Sequence, residues 1–313
     1  MKPFKTFDEQ LEILKKHKLD IKSPETTRYY LKLYGYYPLV NGYKDAFLLK
    51  QQEEKIYRPG TSFDEIVNLY SFDYKLRNIL LESLFIIEKS LKSIISYEFS
   101  KSYGESHVEY LTPKCFNTAT PVNAKRVLGL LNKMESTIED FEKKNNNVIN
   151  HYLTVHKTIP LWVLFTVSTF GQLSIFYANL KDPEMKKIAN EFSLNPTTLK
   201  SMLYFLSIIR NICAHGDRLY SYKKDRKRGG NIPILSIHEK LQIPKLNDSY
   251  SCGTNDILAV LICFKYLLPP SLLSSTITEL QRTMSNLKAK INPASLDYVF
   301  QVSGLHDEYL KRL

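Results

Sequence analysis

The sequence is poor in the residues that interrupt helices or build disulfide and metal sites. Only 11 of its 313 residues are glycine, and only 4 are cysteine. The scarcity of glycine, together with long stretches of helical periodicity, predicts an all-α protein. The cysteines form no C-x-x-C pair, and we expect them to be reduced, buried thiols in a cytoplasmic protein; they are Cys115, Cys213, Cys252 and Cys263.

The motifs of several large enzyme classes are absent as well. The chain has no G-x-x-x-x-G-K-[ST] for nucleotide phosphates, no H-E-x-x-H or Cys/His quartet for zinc, and no G-x-S-x-G nucleophile elbow. A P-loop nucleotide enzyme is therefore not expected, and neither is a zinc enzyme or a hydrolase with that elbow. Acid–base catalysis without a metal or a cofactor is the simplest chemistry that the sequence leaves.

One segment lacks charge altogether. Residues 159–180 carry no charged side chain, and this length is enough to raise the question of a membrane span. Six polar side chains interrupt the segment, however: Thr166, Ser168, Thr169, Gln172, Ser174 and Asn179. We therefore predict a fully buried core helix here and no membrane partner.

Positive charge is what the chain has in excess. Lysine and arginine number 43 against 32 aspartates and glutamates, which gives a net charge of +11. This charge suits a polyanionic partner such as RNA, although it could equally serve only solubility. The 21 tyrosines do not decide between these possibilities, because tyrosine occurs in cores, in interfaces and on base-stacking surfaces.

The apolar spacing predicts most of the helices. The surest is a helix over residues 63–103, whose apolar residues recur every three or four positions. Other helices are expected over residues 4–19, 24–35, 123–144, 197–215, 254–268, 270–291 and 296–310, with a strand or extended connector at 232–237. We divide the chain into an N-terminal helical and aromatic segment (1–60), a helical core (61–221), and a basic loop with C-terminal helices packed on that core (222–313).

Three polar residues, Arg210, Asn211 and His215, interrupt the apolar stripe at the end of the helix over 197–215. Gly216 follows at once and predicts the helix end, where the partial negative charge of the helix C-terminus favours an imidazolium. Asn211 and His215 share a face. Arg210 and His215 lie roughly 140° apart around the helix, so fraying or a second copy is needed to bring both to one atom. From spacing alone, a surface pair or a hydrogen-bonded core histidine is the commoner explanation.

Glu88 leaves two interpretations open. It lies next to the apolar stripe of the helix over 63–103 and could orient Arg210 or His215. It could equally form an ordinary ion pair with Lys92, four residues further along, and we favour this pair.

A basic stretch follows the Arg–His motif. One interpretation is a surface that tracks RNA phosphates with a tyrosine nearby, and the other is a solvated, flexible loop. The candidate RNA-binding residues are Arg218, Tyr220, Lys223, Lys224, Arg226, Lys227 and Arg228.

Several segments, in order, resemble the Abi-like family of abortive-infection phage-resistance proteins (the AbiD/AbiF type). In addition, the R-N-I-C-A-H of residues 210–215 resembles the R-N-x-x-x-H motif of the HEPN superfamily. Lys92 departs from the family pattern, since arginine is usual at that position. The Abi-like segments are F-D-E-Q at 7–10, G-Y-Y-P-L at 35–39, L-Y-S-F-D-Y-K-L-R at 69–77, I-E-K-S-L-K at 87–92, P-L-W at 160–162, S-T-F-G-Q-L-S at 168–174 and D-R-L-Y at 217–220.

The resemblance implies a HEPN-like helical bundle with an N-terminal helical extension. It also implies a metal-independent endoribonuclease that acts as a homodimeric toxin in phage defence, with Arg210, Asn211 and His215 as the catalytic residues. The expected products carry a 2′,3′-cyclic phosphate, and a bound structured non-coding RNA is expected as a partner. Two alternatives stay open, namely a non-catalytic RNA-binding scaffold and a helical protein–protein interaction module.

Overall fold

A single long helix, α3 (Phe63–Tyr103), runs through the protein and contacts five other helices and the turn at Tyr37–Asn41. The computed structural model describes residues 3–49, 55–223 and 231–313. Ser62 and Glu65 form a capping box at the start of α3. Gly104 ends the helix with φ +78°, in the positive-φ region that glycine adopts readily. Buried residues on several faces of α3 contact helices on more than one side, which explains why its apolar pattern is so regular.

The fold is all-α, as predicted. Within the described residues, the only paired strands are the two-residue β1 (Lys245–Leu246) and β2 (Ser249–Tyr250), joined as an antiparallel hairpin. The helices besides α3 are α1 (Phe7–Lys16), α2 (Pro24–Tyr34), α4 (His107–Tyr110), α5 (Pro121–Lys143), α6 (Asn147–His151), α7 (Leu161–Val167), α8 (Phe170–Ala178), α9 (Asp182–Asn190), α10 (Pro196–His215), α11 (Ser236–Lys240), α12 (Ile257–Leu267), α13 (Pro270–Lys288), α14 (Pro293–Ser303) and α15 (Asp307–Arg312).

The N-terminal segment packs against the first part of α3. Ser23 caps α2 by accepting a hydrogen bond from the amide of Thr26, and Gly35 ends the helix, as the sequence predicts. A short π-helical turn (Tyr37–Asn41) follows and contacts α3. This segment therefore belongs to the same packed body as the long helix.

The uncharged segment over residues 159–180 is not one helix, and this prediction is wrong. It forms α7 and α8, which are separated at Ser168 and Thr169. The Thr169 hydroxyl accepts from the amide of Gln172, whose side chain accepts from the Thr169 amide in return. This capping box starts a new helix where apolar periodicity alone predicts continuation. Both helices are largely buried, and no helix in the described ranges combines the length and apolar character needed to cross a membrane.

The C-terminal helices cover α3 and α10. Helix α13 packs along α3, where the buried hydroxyls of Ser83 and Thr276 lie 2.9 Å apart. Helix α12 is almost wholly buried and contacts both α10 and α13. Of the two forms predicted for residues 232–237, the strand is not found: residues 232–235 form a connector without regular secondary structure, and Ser236 begins α11.

Candidate active site

Helix α10 ends as a glycine-terminated helix should. Asn195 caps its first turn, and its side chain accepts a hydrogen bond of 2.8 Å from the amide of Thr198. Gly216 has φ +75°, the left-handed conformation that glycine adopts without strain. The amide of Asp217 then donates to the carbonyl of Ile212, as in a Schellman motif. His215 is thus the last residue of α10, as predicted.

The motif side chains divide between core and surface. Ile209 and Cys213 are buried, whereas Asn211 and His215 are exposed, and the Arg210 side chain keeps 26% of its accessible surface. Burial raises the pKa of the Cys213 thiol to about 12, so this cysteine stays protonated and is a poor nucleophile. The polar members of the motif are therefore the ones that a ligand can reach.

Glu88 of α3 connects Arg210 to a second cation. Its Oε2 atom lies 3.6 Å from Nε of Arg210, and its Oε1 atom lies 2.8 Å from Nζ of Lys92. Lys92 also donates a 2.6 Å hydrogen bond to the carbonyl of Ser168. Both interpretations of Glu88 are therefore met in part, because the carboxylate pairs with Lys92 and with Arg210 together.

The ring of Phe85, in α3, contacts the Arg210 guanidinium. The Arg210 guanidinium carbon lies 5.7 Å from the centre of the Phe85 ring, within the range of a cation–π contact. Within the described ranges, Arg210 donates no hydrogen bond, and no ion pair or hydrogen bond joins it to His215. A single chain thus holds Arg210 in place without directing it at His215.

A second polar cluster fixes the segment that follows α10. Asp73 of α3 is fully buried and accepts hydrogen bonds from the Tyr43 hydroxyl at 2.6 Å and from Nη1 of Arg77 at 2.5 Å. It also accepts from the backbone amides of Leu219 (3.1 Å) and Tyr220 (2.6 Å). One carboxylate therefore joins α3, the N-terminal segment and the chain after the motif. We call these five residues the Asp73 cluster.

Comparison with known proteins decides the family. The family model described as "Abi-like protein" matches residues 29–221, more than half of the chain. The chain belongs to the Abi-like family. The name of the family refers to abortive infection, the defence in which an infected bacterium stops growing, and this is the broad function that membership indicates. No curated protein and no solved structure matches the chain.

The Asp73 cluster gives a structural role to segments by which this Abi-like protein resembles its family. Asp73 and Arg77 come from the L-Y-S-F-D-Y-K-L-R segment, and Leu219 and Tyr220 come from D-R-L-Y. Nη1 of Arg77 also donates to the carbonyl of Asp217, at 3.2 Å. These residues hold the end of α10 against α3. The sequence signal was present, since opposite charges four apart interrupt an apolar helix, but its partners are far away in the chain.

Two of the predicted RNA-binding residues make their contacts within the chain. Tyr220 is fully buried and stacks on Tyr43, so its ring cannot stack on a base in this conformation, and we correct that prediction. Arg218 donates to the carbonyl of Gly42 and lies 3.4 Å from Asp45, which anchors it to the N-terminal segment.

The rest of the predicted RNA-binding stretch is mostly outside the described residues. Lys223 is described and exposed. The remaining predicted members lie outside the described ranges; they are Lys224, Arg226, Lys227 and Arg228. Sequence reasoning missed Phe85 as a neighbour of Arg210, because Phe85 lies far from the motif in the chain.

Proposed function

We propose that this Abi-like protein is a metal-independent endoribonuclease of abortive infection, and that its active site forms where the α10 ends of two copies meet. One observation carries the proposal. Arg210 is fixed at the surface by Glu88 and Phe85, while Asn211 and His215 are exposed at the same helix end. A cation with a bidentate donor fork beside an imidazole suits phosphodiester chemistry.

The reaction uses the 2′-hydroxyl of RNA as the nucleophile. His215 takes the 2′-OH proton, the 2′-oxygen bonds to phosphorus, and the bond from phosphorus to the 5′-oxygen breaks. A proton passes to the leaving 5′-oxygen from His215 of the second copy. The products are a 2′,3′-cyclic phosphate and a 5′-hydroxyl. Arg210 stabilises the negative charge that develops on the phosphoryl oxygens, and Asn211 donates a hydrogen bond to one of them.

The need for two copies follows from helix geometry. Arg210 and His215 project about 140° apart around α10, so the Arg210 of one copy reaches the phosphate beside the His215 of the other. A two-fold axis near the helix end would provide two such pairs. The net charge of +11 and the basic stretch from Lys223 onward support an RNA ligand, including a bound structured RNA.

A non-catalytic RNA-binding scaffold is the second candidate. The ion pair between Arg210 and Glu88 favours it, because a guanidinium engaged within the protein can serve packing instead of catalysis. The two candidates differ in whether the purified protein leaves bound RNA intact.

The test is cleavage of labelled RNA by the full-length chain in the presence of EDTA. His215→Ala should lower the rate by at least about a hundredfold, and Arg210→Ala by about a hundredfold, while the exposed-histidine control His156→Ala keeps the wild-type rate. Mixing the Arg210→Ala and His215→Ala proteins should restore part of the activity, because a mixed dimer carries one Arg210 and one His215 at the shared site and its leaving 5′-oxygen then takes its proton from water. An unchanged rate in His215→Ala, or complete dependence on Mg²⁺, would reject the nuclease, and tight binding of intact RNA would favour the scaffold.

A further inference from the structure

A groove between α3 and α7 opens beside Arg210. It has a volume of about 470 Å³, within the size range of small-molecule sites, and Phe85 and Trp162 form part of its walls. Along α3 it extends from Phe85 to Ser96, about 16 Å at the helical rise of 1.5 Å per residue. Because Phe85 also supports the Arg210 guanidinium, the groove begins where the proposed phosphate site ends. We call it the α3–α7 groove.

The walls of the groove are aromatic and accessible. Trp162 keeps 46% of its surface exposed and Phe85 keeps 43%. Exposure of such large apolar surfaces to water is unfavourable. A ligand that stacks on them would remove this surface from water, which contributes favourably to the free energy of binding. Flat aromatic rings at an opening suit a planar, aromatic ligand.

The charge around the groove is positive. Lys89 and Lys92 line it, and Arg210 lies at its end, whereas Glu88 is the one carboxylate among its lining residues. Glu88 is already paired with Lys92 and Arg210. Lys89 is exposed and forms no ion pair with any residue in the described ranges. The surplus of positive charge suits the phosphates on either side of a base.

We propose that the α3–α7 groove binds one unstacked nucleotide of RNA next to the bond that is cleaved, with its base against Trp162 and Phe85 and its phosphate near Lys89. This inference rests on the proposed function in one respect, namely that Arg210 holds the neighbouring phosphate. Stacking on aromatic side chains is how proteins hold single-stranded bases, and it tolerates different sequences. The groove thereby selects RNA whose bases are unpaired.

Trp162 is the one tryptophan of the chain, so tryptophan fluorescence reports directly on the α3–α7 groove. The His215→Ala protein, which keeps the substrate intact, is titrated with a single-stranded RNA oligonucleotide while tryptophan fluorescence is followed. We expect saturable quenching, and we expect an oligonucleotide of the same length with abasic sites to bind without quenching. Trp162→Ala should weaken RNA binding, measured by anisotropy of labelled RNA, by roughly five- to a hundredfold.

Trp162→Phe should restore most of that binding, because a phenyl ring still stacks. The control is Tyr97→Ala, which removes another exposed aromatic side chain of α3 and should leave RNA affinity unchanged. RNA that binds without quenching Trp162 would overturn the inference. So would a fluorescence change that follows protein concentration without RNA, because a second copy would then cover the groove. Cleavage of RNA without quenching would reject only the nucleotide site in the α3–α7 groove. Quenching without cleavage by the wild-type protein would reject only the proposed endoribonuclease activity.

Discussion

Glu88 and Arg210 face each other across the contact of α3 with α10, with Oε2 and Nε 3.6 Å apart. This distance is too long for a hydrogen bond, and neither atom finds a hydrogen-bond partner within the described part of the chain. The attraction between them is therefore ionic and depends on the charge of the carboxylate. Glu88 fixes the position of the guanidinium without occupying its outer nitrogens.

Glu88→Gln removes that charge and nearly preserves the shape of the side chain. We expect RNA cleavage to fall by roughly ten- to a hundredfold, because a small displacement of a charged group from its productive position is costly. Thermal stability should change little, since Lys92 and Arg210 are both partly exposed. The matched control is Glu82→Gln, which alters an exposed carboxylate of α3. Full activity in Glu88→Gln would show that Arg210 needs no positioning.

Asp73→Asn should be strongly destabilising. It leaves Arg77 buried without its counter-ion and weakens the bonds to the backbone amides after α10. Breaking one partner of a buried ion pair costs about 3–5 kcal/mol, a large part of the stability of a typical domain. Denaturant unfolding measures the loss, with the exposed Asp140→Asn as the control. A change below about 0.5 kcal/mol would mean that the cluster contributes little.

Two stacked tyrosines offer a matched comparison, because their ring centres are 5.8 Å apart and only one hydroxyl is bonded. The Tyr43 hydroxyl donates to Asp73, whereas the buried Tyr220 hydroxyl finds no partner among the described residues. Tyr43→Phe should therefore cost about 1–3 kcal/mol in unfolding free energy. Tyr220→Phe should be neutral or slightly stabilising, since it removes an unsatisfied polar group. Equal losses in the two variants would contradict this assignment of the hydroxyls.

Asp256 should make the stability fall as pH rises. Burial raises the pKa of this carboxyl from 3.8 to about 6, although the amides of Gly253 and Ala259 donate to it and oppose the shift. Between these pH values the folded chain holds a proton that the unfolded chain has lost. The stability that Asp256 contributes is thus complete below about pH 4 and is lost as pH rises to about 6.

Asp256→Asn cannot titrate, and asparagine still caps a helix. Its stability relative to the wild type should therefore increase from pH 4 to pH 7, by at most about 3 kcal/mol. Thermal unfolding of both proteins across this range measures the difference, and Asp297→Asn, an exposed change, should show none of it. A difference that is flat with pH would refute the shift.

Local patterns were enough to predict much of the fold. The helix over residues 63–103 has the predicted bounds, because its apolar period is long and a glycine follows it. The break inside residues 159–180 was missed, since a capping box at Thr169 outweighs apolar continuity. Capping depends on a few polar atoms, to which a search for apolar periodicity is blind.

The site was only partly predictable for a different reason. The exposed end of α10 follows from its own sequence, but the burial of Tyr220 depends on Asp73 and Tyr43, which lie far away in the chain. The same holds for Arg210, whose neighbours Glu88 and Phe85 come from α3. These contacts join residues that are far apart in the chain, so they depend on the tertiary structure and cannot be predicted from a local sequence pattern.

The cover that α12 and α13 provide has a practical consequence for dissecting the protein. The family match ends at residue 221, before either of these helices begins. A fragment that ends at residue 221 would expose the apolar surfaces of α3 and α10 that α13 and α12 cover. It would also leave the Ser83 hydroxyl without its hydrogen-bond partner, the hydroxyl of Thr276. We expect such a truncation to aggregate instead of yielding a smaller folded protein, so mutations are best made in the intact chain.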